Sequence, residues 1–206
     1  VFYNCPKLLS FQLNVRCNSI SSNAFRGSSI KKYYIYNEYL LSGNYTETSN
    51  LGTLLGTQTE EVWISNNSTY SPYLLANCPN LKTARVTGAK VSDFMFYKCP
   101  KLEILDLTPQ IESLGNYACF DCPNLREVRM NNTNETLKNL KSIGHQVFAF
   151  CPNLMEFCIE PSVESVGRAN FEGCKNINLI INNNTLSSKW SLSGIFGNNS
   201  IGKVTF

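Results

Sequence analysis

Two thiols three residues apart, Cys119 and Cys122, form the first pair in this sequence whose spacing suits chemistry. A Cys-x-x-Cys turn can cycle between dithiol and disulfide when one thiol is exposed and readily ionised. Nine cysteines stand in the chain, and an odd number spoils a complete intramolecular disulfide framework. A single histidine, His145, leaves a Cys/His zinc cluster or a Ser-His-Asp arrangement without support. Carboxylates can do acid–base work in pairs. Here Glu60-Glu61 and the isolated Asp93, Asp106 and Asp121 show no organised pattern. The residue types therefore predict no catalytic centre, no metal site and no cofactor.

The placement of the cysteines says more than their number. Cys-Pro-(Lys/Asn)-Leu stands at Cys5, Cys78, Cys99, Cys122 and Cys151, with a relaxed copy at Cys174-Lys175-Asn176-Ile177. From Cys78 onward the steps are 21, 23, 29 and 23 residues. A period in the low twenties marks a solenoid. Three residues before the cysteine sits a bulky apolar side chain, at Phe2, Leu75, Phe96, Phe148 and Phe171; Cys119 takes the same slot. Further apolar residues follow three, six and eight places after it, as in Leu102, Leu105 and Leu107. The last two of each set flank one residue, which is strand spacing with one face buried.

Upstream lies an apolar pair closed by glycine, in Ile111-x-x-Leu114-Gly115, Leu140-x-x-Ile143-Gly144 and Val163-x-x-Val166-Gly167. These glycines suit a backbone position of positive φ. Copies at Phe25 and Phe196 lack the cysteine and are one residue shorter, and Val62 with Ile64 marks another degenerate strand. Nine strands are expected, near Phe11, Tyr33, Val62, Ala84, Leu105, Val128, Phe157, Leu179 and Val204. Stacked coils would align them in a parallel sheet about 4.8 Å apart.

Phe-x-x-Cys-Pro-x-Leu-x-x-(Ile/Leu)-x-(Ile/Leu), followed by Ile-Gly-x-x-(Ala/Val)-Phe, resembles the leucine-rich repeats of BspA-type bacterial surface proteins. The resemblance covers nearly the whole chain and is weakest over residues 37–60. It implies a leucine-rich-repeat solenoid, a right-handed superhelix with one parallel β-sheet on one face and turns with short 3-10 or helical segments on the other. It also implies extracellular display on a bacterial cell surface and adhesion.

Stacking places the repeat cysteines about one strand spacing apart with parallel Cβ vectors, too far for relaxed bridges. They are read as a column of small buried hydrophobes. Cys119 and Cys17 occupy apolar slots and are expected in the core rather than as reactive thiols. Cys158, between Phe157 and Ile159, should face outward and be the thiol that reacts with a labelling reagent. His145 is expected in an exposed turn.

With 43% hydrophobic residues the chain is read as a single elongated solenoid domain over residues 1–206, with an irregular stretch at 37–60. That stretch is either a loop on the binding side or a degenerate coil. Residues 131–139 account for the 29-residue step and read as a polar loop. A net charge of +3 and scattered Lys and Arg argue against nucleic acid or an anionic membrane as the main partner. No apolar run approaches the length needed to span a bilayer, so no direct membrane insertion is expected. The chain opens inside a repeat, at Val1–Cys5, so a mature protein or a piece of a longer one is expected, with any export signal out of view. Sequons at Asn44, Asn66, Asn134 and Asn198 are read as a consequence of an Asn-rich composition.

The outward strand position runs Gln12, Tyr34, Trp63, Arg85, Asp106, Arg129, Cys158, Ile180, Thr205, and Tyr36 continues it one pleat further. Tyr, Trp and Arg are the types enriched at binding hot spots. The candidate ligand-binding set is Tyr34, Tyr36, Trp63, Arg85, Asp106 and Arg129, for a host or bacterial surface protein or a glycan. The same aromatics could instead stabilise an exposed sheet as cross-strand neighbours. A non-catalytic recognition domain is the leading reading, a structural repeat spacer without a ligand the alternative, and a redox or hydrolytic enzyme a distant third.

Overall fold

The structure, a computed structural model, describes residues 2–14, 19–65, 69–131, 133, 136–182, 191–197 and 203–206. Cys17 and the sequons at Asn66, Asn134 and Asn198 lie outside them. In chain order the strands are β1 (Ser10–Leu13), β2 (Lys32–Ile35), β3 (Glu61–Ile64), β4 (Thr83–Val86), β5 (Lys90–Val91), β6 (Ile104–Leu107) and β7 (Ser113–Leu114). There follow β8 (Glu127–Met130), β9 (Ser142–Ile143), β10 (Glu156–Ile159), β11 (Ser165–Val166), β12 (Asn178–Ile181) and β13 (Lys203–Thr205). The helices are α1 (Glu38–Leu41), α2 (Leu51–Leu55) and α3 (Leu192–Phe196).

All nine expected strands are present, and every pairing is parallel. The register places Phe11, Tyr33, Val62, Ala84, Leu105 and Val128 in one inward row, and Phe157, Leu179 and Val204 in another. The second face carries turns and, beyond the expectation, a sheet of two-residue strands in the order β11-β9-β7-β5. Each of its last three coils ends this strand in glycine for closeness of approach, not for positive φ. A Cβ on Gly167 would collide with the Gly144 carbonyl, and one on Gly144 with Asn116. Positive φ falls instead on Tyr73, Phe94, Tyr117, Gln146 and Ala169, five residues before each repeat cysteine from Cys78 to Cys174. It recurs one residue before the cysteine, at Asn77, Lys98, Asp121 and Phe150.

The cysteine column is buried from Cys78 to Cys174, and Cys5 is half-buried. The thiols also bind one coil to the next. Cys99 Sγ donates to the Leu75 carbonyl (3.1 Å), Cys122 to Phe96 (3.1 Å), Cys151 to Cys119 (3.2 Å) and Cys174 to Phe148 (3.2 Å). Every acceptor is the residue three places before the preceding coil's cysteine. A thiol suits the site because it is small, apolar in bulk and still a weak donor. The variable residue after Cys-Pro adds a second axial ladder on the surface. Asn80, Asn124 and Asn153 donate their amides to the carbonyls of Thr57, Pro100 and Pro123 at 2.7–2.8 Å.

Residues 37–60 form a degenerate coil rather than a loop on the strand face. Asn37 and Asn50 cap α1 and α2, which bury Leu40, Leu41, Leu51 and Leu55. The Asn50 amide donates across to the Ala76 carbonyl (3.2 Å), and Gly52 leaves room for the Cys78 sulfur.

The main face is divided rather than continuous. One six-stranded sheet runs β1-β2-β3-β4-β6-β8, and a three-stranded one runs β10-β12-β13. Along the first sheet each strand's entry carbonyl accepts from the next coil, in the series Leu9, Lys31, Glu60, Lys82 and Glu103; Met155 resumes it by accepting from Asn178. The rung between Arg126 and Met155 is missing. At the strand exit the Met130 carbonyl accepts from Thr133 instead of from the next coil. Opposite this break the coils stay joined, with Cys119 N donating to Val147 O (2.9 Å) and Gly144 N to Leu114 O (2.8 Å). The solenoid is thus wedged open on the strand side only. Leu137, within the 131–139 stretch, is buried to 6% exposure, so that stretch is not merely a polar loop.

Candidate functional site

The strand register brings five of the six candidate residues into one row across the first sheet. Tyr34, Trp63, Arg85, Asp106 and Arg129 are successive partners on β2, β3, β4, β6 and β8. Tyr36 lies just past β2, exposed, with its N–H donating to the Leu13 carbonyl (3.0 Å). The Tyr34 ring meets Trp63 edge-on at 5.1 Å, and the Arg85 guanidinium lies over the indole, 5.2 Å from its centre. Arg85 and Arg129 flank Asp106 at 3.8 and 3.9 Å. Asp106 is only 4% exposed, so it organises the two arginines instead of offering a surface contact. Burial of a carboxylate is tolerated here because two cations compensate it.

A row of charges that sequence reasoning passed over runs beside this one. Lys31 and Lys82 hold Glu60 from either side at 2.7 and 2.9 Å, and Lys32 holds Glu61 at 2.7 Å. Hydrogen bonds from Lys31 and then Lys82 pull the Glu60 carboxyl down to about 2. The signal was available: these residues precede the inward strand position in register, so opposite charges fall on adjacent strands. An aromatic ladder lines the turn side, with Tyr73, Phe94 and Tyr117 stacked at 4.5 and 4.8 Å. Its ring faces are spent on one another.

The thiols do not assemble redox chemistry. Cys119 is 1% exposed, and burial pushes its pKa well up; Cys122 is pushed up by burial and by Cys151. Cys158 faces outward as expected but is not poised to react. Its Sγ donates to Glu160 Oε1 (3.1 Å) and accepts from Asn182 (3.3 Å). Burial, then the neighbouring Glu160 carboxylate, raises this thiol to about 12. His145 is exposed, its Nδ1 accepting from Arg168 N (2.9 Å). Among the described residues no group of three or more His, Cys, Asp or Glu is placed to hold a metal ion, and no helix is long and apolar enough to cross a membrane.

Six copies of the BspA-type leucine rich repeat region match residues 1–89, 56–140 and 141–206. The chain belongs to the BspA-type leucine-rich repeat family. The solved structure of a leucine-rich repeat protein from Bacteroides ovatus aligns over 100% of this chain at 19% identity and a TM-score of 0.61. That likeness shows the fold, and this leucine-rich repeat chain spans 56% of the Bacteroides protein's length. A leucine rich cell surface protein from Faecalibacterium prausnitzii aligns over 97% of this chain and 79% of its own, at 14% identity and a TM-score of 0.33. A leucine-rich repeat protein of T. pallidum aligns over 61% of this chain and 60% of its own, at 18% identity and a TM-score of 0.38. No curated protein matches the chain.

Proposed function

We propose that this repeat array is a non-catalytic recognition domain of a bacterial surface protein, binding a partner protein through the Tyr34–Trp63–Arg85–Arg129 row. Leucine-rich repeat arrays serve as protein-interaction modules or as repeat scaffolds, which supports the coarser part of this reading. The observation that carries the finer part is Asp106, buried between Arg85 and Arg129, so that the guanidinium of Arg85 is held over Trp63 and that of Arg129 beside Asp106 before any partner arrives. Preorganised Tyr, Trp and Arg side chains lower the entropy cost of binding. A protein is favoured over a glycan because Arg85 covers the indole face on which a sugar ring would stack.

A spacer role has its own support. The charges beside the row are matched across strands, Lys32 to Glu61 and Lys31 to Glu60 to Lys82, which leaves that surface self-satisfied. Probing the domain on an array of host and bacterial surface proteins and glycans separates the readings. Capture of a protein, lost in both Trp63→Ala and Arg85→Ala with folding intact, supports recognition by the row. Absence of any capture supports the spacer.

A further inference from the structure

The opening between β8 and β10 presents the unpaired hydrogen-bonding edges of a missing strand. The two strands are neighbours in no sheet, although both line one open cleft. Neighbouring strands pack about 4.8 Å apart, so an added strand needs its two neighbours about twice that distance from one another. In a parallel sheet alternate residues turn both backbone groups toward the same neighbour. On β8 those facing the gap are Arg126 and Val128, with Met130 beyond. Among them only the Met130 carbonyl is engaged, by Thr133. On β10 the facing residues are Glu156 and Cys158. No hydrogen bond joins the two strands.

The side chains repeat the message. Val128 stands in the inward row yet is only partly buried, unlike Ala84 and Leu105 beside it in register. Met155, at the mouth, is 59% exposed. Leu137 forms part of the floor of an open cleft of about 170 Å³, with room for one further apolar side chain. Arg129 Nε, on the wall, is buried and makes no hydrogen bond, its ion-pair partner Asp106 Oδ1 lying 3.9 Å away. The insertion is tied to the far end of the wedge, where hydrogen bonds from Thr136, Cys158 and Asn182 hold the Glu160 carboxyl low against the upward push of burial. Among the described residues no hydrogen bond closes the near end, from Arg126 to Met155.

We infer that this wedge is a strand-acceptor site, taking an extended peptide segment of a partner protein as an added strand between β8 and β10. The peptide's backbone pairs with the free groups of Arg126 and Val128 on one side and of Glu156 and Cys158 on the other. One apolar side chain fills the cleft over Val128 and Leu137, and its neighbours in the sequence point outward past Arg129 and Met155. Backbone pairing supplies the affinity in such strand addition, and alternate side-chain pockets supply the choice of sequence. This proposal rests on the reading of the domain as a protein-recognition module but not on the aromatic row.

The test is selection of a random dodecapeptide display library on the 206-residue chain, followed by titration of the recovered peptides. Three variants accompany it. Deleting residues 132–137 returns the 29-residue step to 23 and lets β8 pair with β10. That variant is expected to fold, to protect the Val128 and Cys158 amides from hydrogen exchange, and to lose peptide binding at least tenfold. Met155→Ala, at an exposed side chain, is expected to weaken binding severalfold without unfolding the domain. Trp63→Ala sorts the recovered peptides, since those it weakens belong to the row and those weakened only by the deletion belong to the wedge, so failure of the row and failure of the wedge are read separately. In the unmodified chain the Val128 and Cys158 amides should exchange faster than that of Ala84 and slow when peptide is added. Recovery of no peptide, undiminished binding by the deletion variant, or Val128 and Cys158 amides already protected in the free chain would each overturn the proposal.

Discussion

Arg85 lies over the indole of Trp63, its guanidinium carbon 5.2 Å from the ring centre, while its other side reaches Asp106 at 3.8 Å. The two residues stand on adjacent strands in direct register. A cation held over an aromatic face gains about 0.5–1 kcal/mol at a partly exposed site. A double-mutant cycle in thermal or denaturant unfolding, with Trp63→Ala, Arg85→Ala and both together, should therefore return a coupling of about that size. Coupling indistinguishable from zero would mean that the pair is not held in place, and the preorganisation argued for the row would fall with it.

The thiol ladder makes a sharper demand on the core. Cys122 donates to the Phe96 carbonyl, and Cys122→Ala leaves that carbonyl buried without its partner. An unsatisfied buried acceptor costs about 1–3 kcal/mol. Cys158→Ala, on the outward face, should shift stability by no more than about 0.5 kcal/mol. Chemical denaturation of the two variants side by side checks the contrast, and equal effects would remove the ladder's structural role.

Alkaline stability follows from the same column. Cys78 is raised by its hydrogen bond with Cys99 and by burial, and burial raises Cys119, Cys122, Cys151 and Cys174. In the unfolded chain these thiols ionise near the ordinary value of 9.0, while in the folded chain they stay protonated. The folded state therefore binds more protons above that value, and stability falls as pH rises. It should be level up to about pH 9 and then drop, each buried thiol adding a slope of up to about 1.4 kcal/mol per pH unit. Cys119→Ala and Cys174→Ala should each make the decline shallower in unfolding measured between pH 8 and 11; an unchanged slope would contradict their burial as thiols.

The acid side has the opposite sign. Glu60, pulled from the ordinary 4.5 to about 2 by Lys31 and Lys82, contributes stability that is present above 4.5 and lost as pH falls toward 2. Glu60 is half-buried at the surface, its side chain 30% exposed, so the contribution is modest and screened by salt. Glu60→Gln should flatten the acid limb of the stability curve in low salt, with little difference from the parent chain in high salt. An acid limb of equal steepness in both proteins at low salt would show that the Lys31–Glu60–Lys82 chain does not form.

Much of this molecule was legible because two periods reinforce one another. The repeat sets which residues fall in the same slot, and the strand period of two sets which face they take, so the row from Gln12 to Arg129 could be aligned without coordinates. Asp106 shows where that logic ends. Its outward position was correct, but it is 4% exposed, with two long arginine side chains reaching it from adjacent strands, which no period encodes. Gly115, Gly144 and Gly167 show a second limit: glycine answers both a positive φ and a close backbone approach, and the sequence alone does not say which. The break at β8 is a third. The 29-residue step betrays extra chain, whereas neither the lost pairing with β10 nor the burial of Leu137 is written in the repeat period.

Cys158 is the position where the reading of exposure and the chemistry part company. Its strand position turns it outward, yet burial and the Glu160 carboxylate raise the thiol from 9.0 to about 12. The thiolate is the species that attacks a labelling reagent. A rise of that size cuts the thiolate fraction at pH 8 by about a thousandfold. Native chain treated with an aromatic disulfide reagent at pH 8 should thus label Cys158 orders of magnitude more slowly than the denatured chain does. Glu160→Gln removes the charge but not the burial, so labelling should accelerate without reaching the denatured rate. Peptide mapping of the modified thiols distinguishes Cys158 from Cys5. Labelling of Cys158 in the native chain at the rate of a free thiol would show that the Glu160 contact does not hold it protonated.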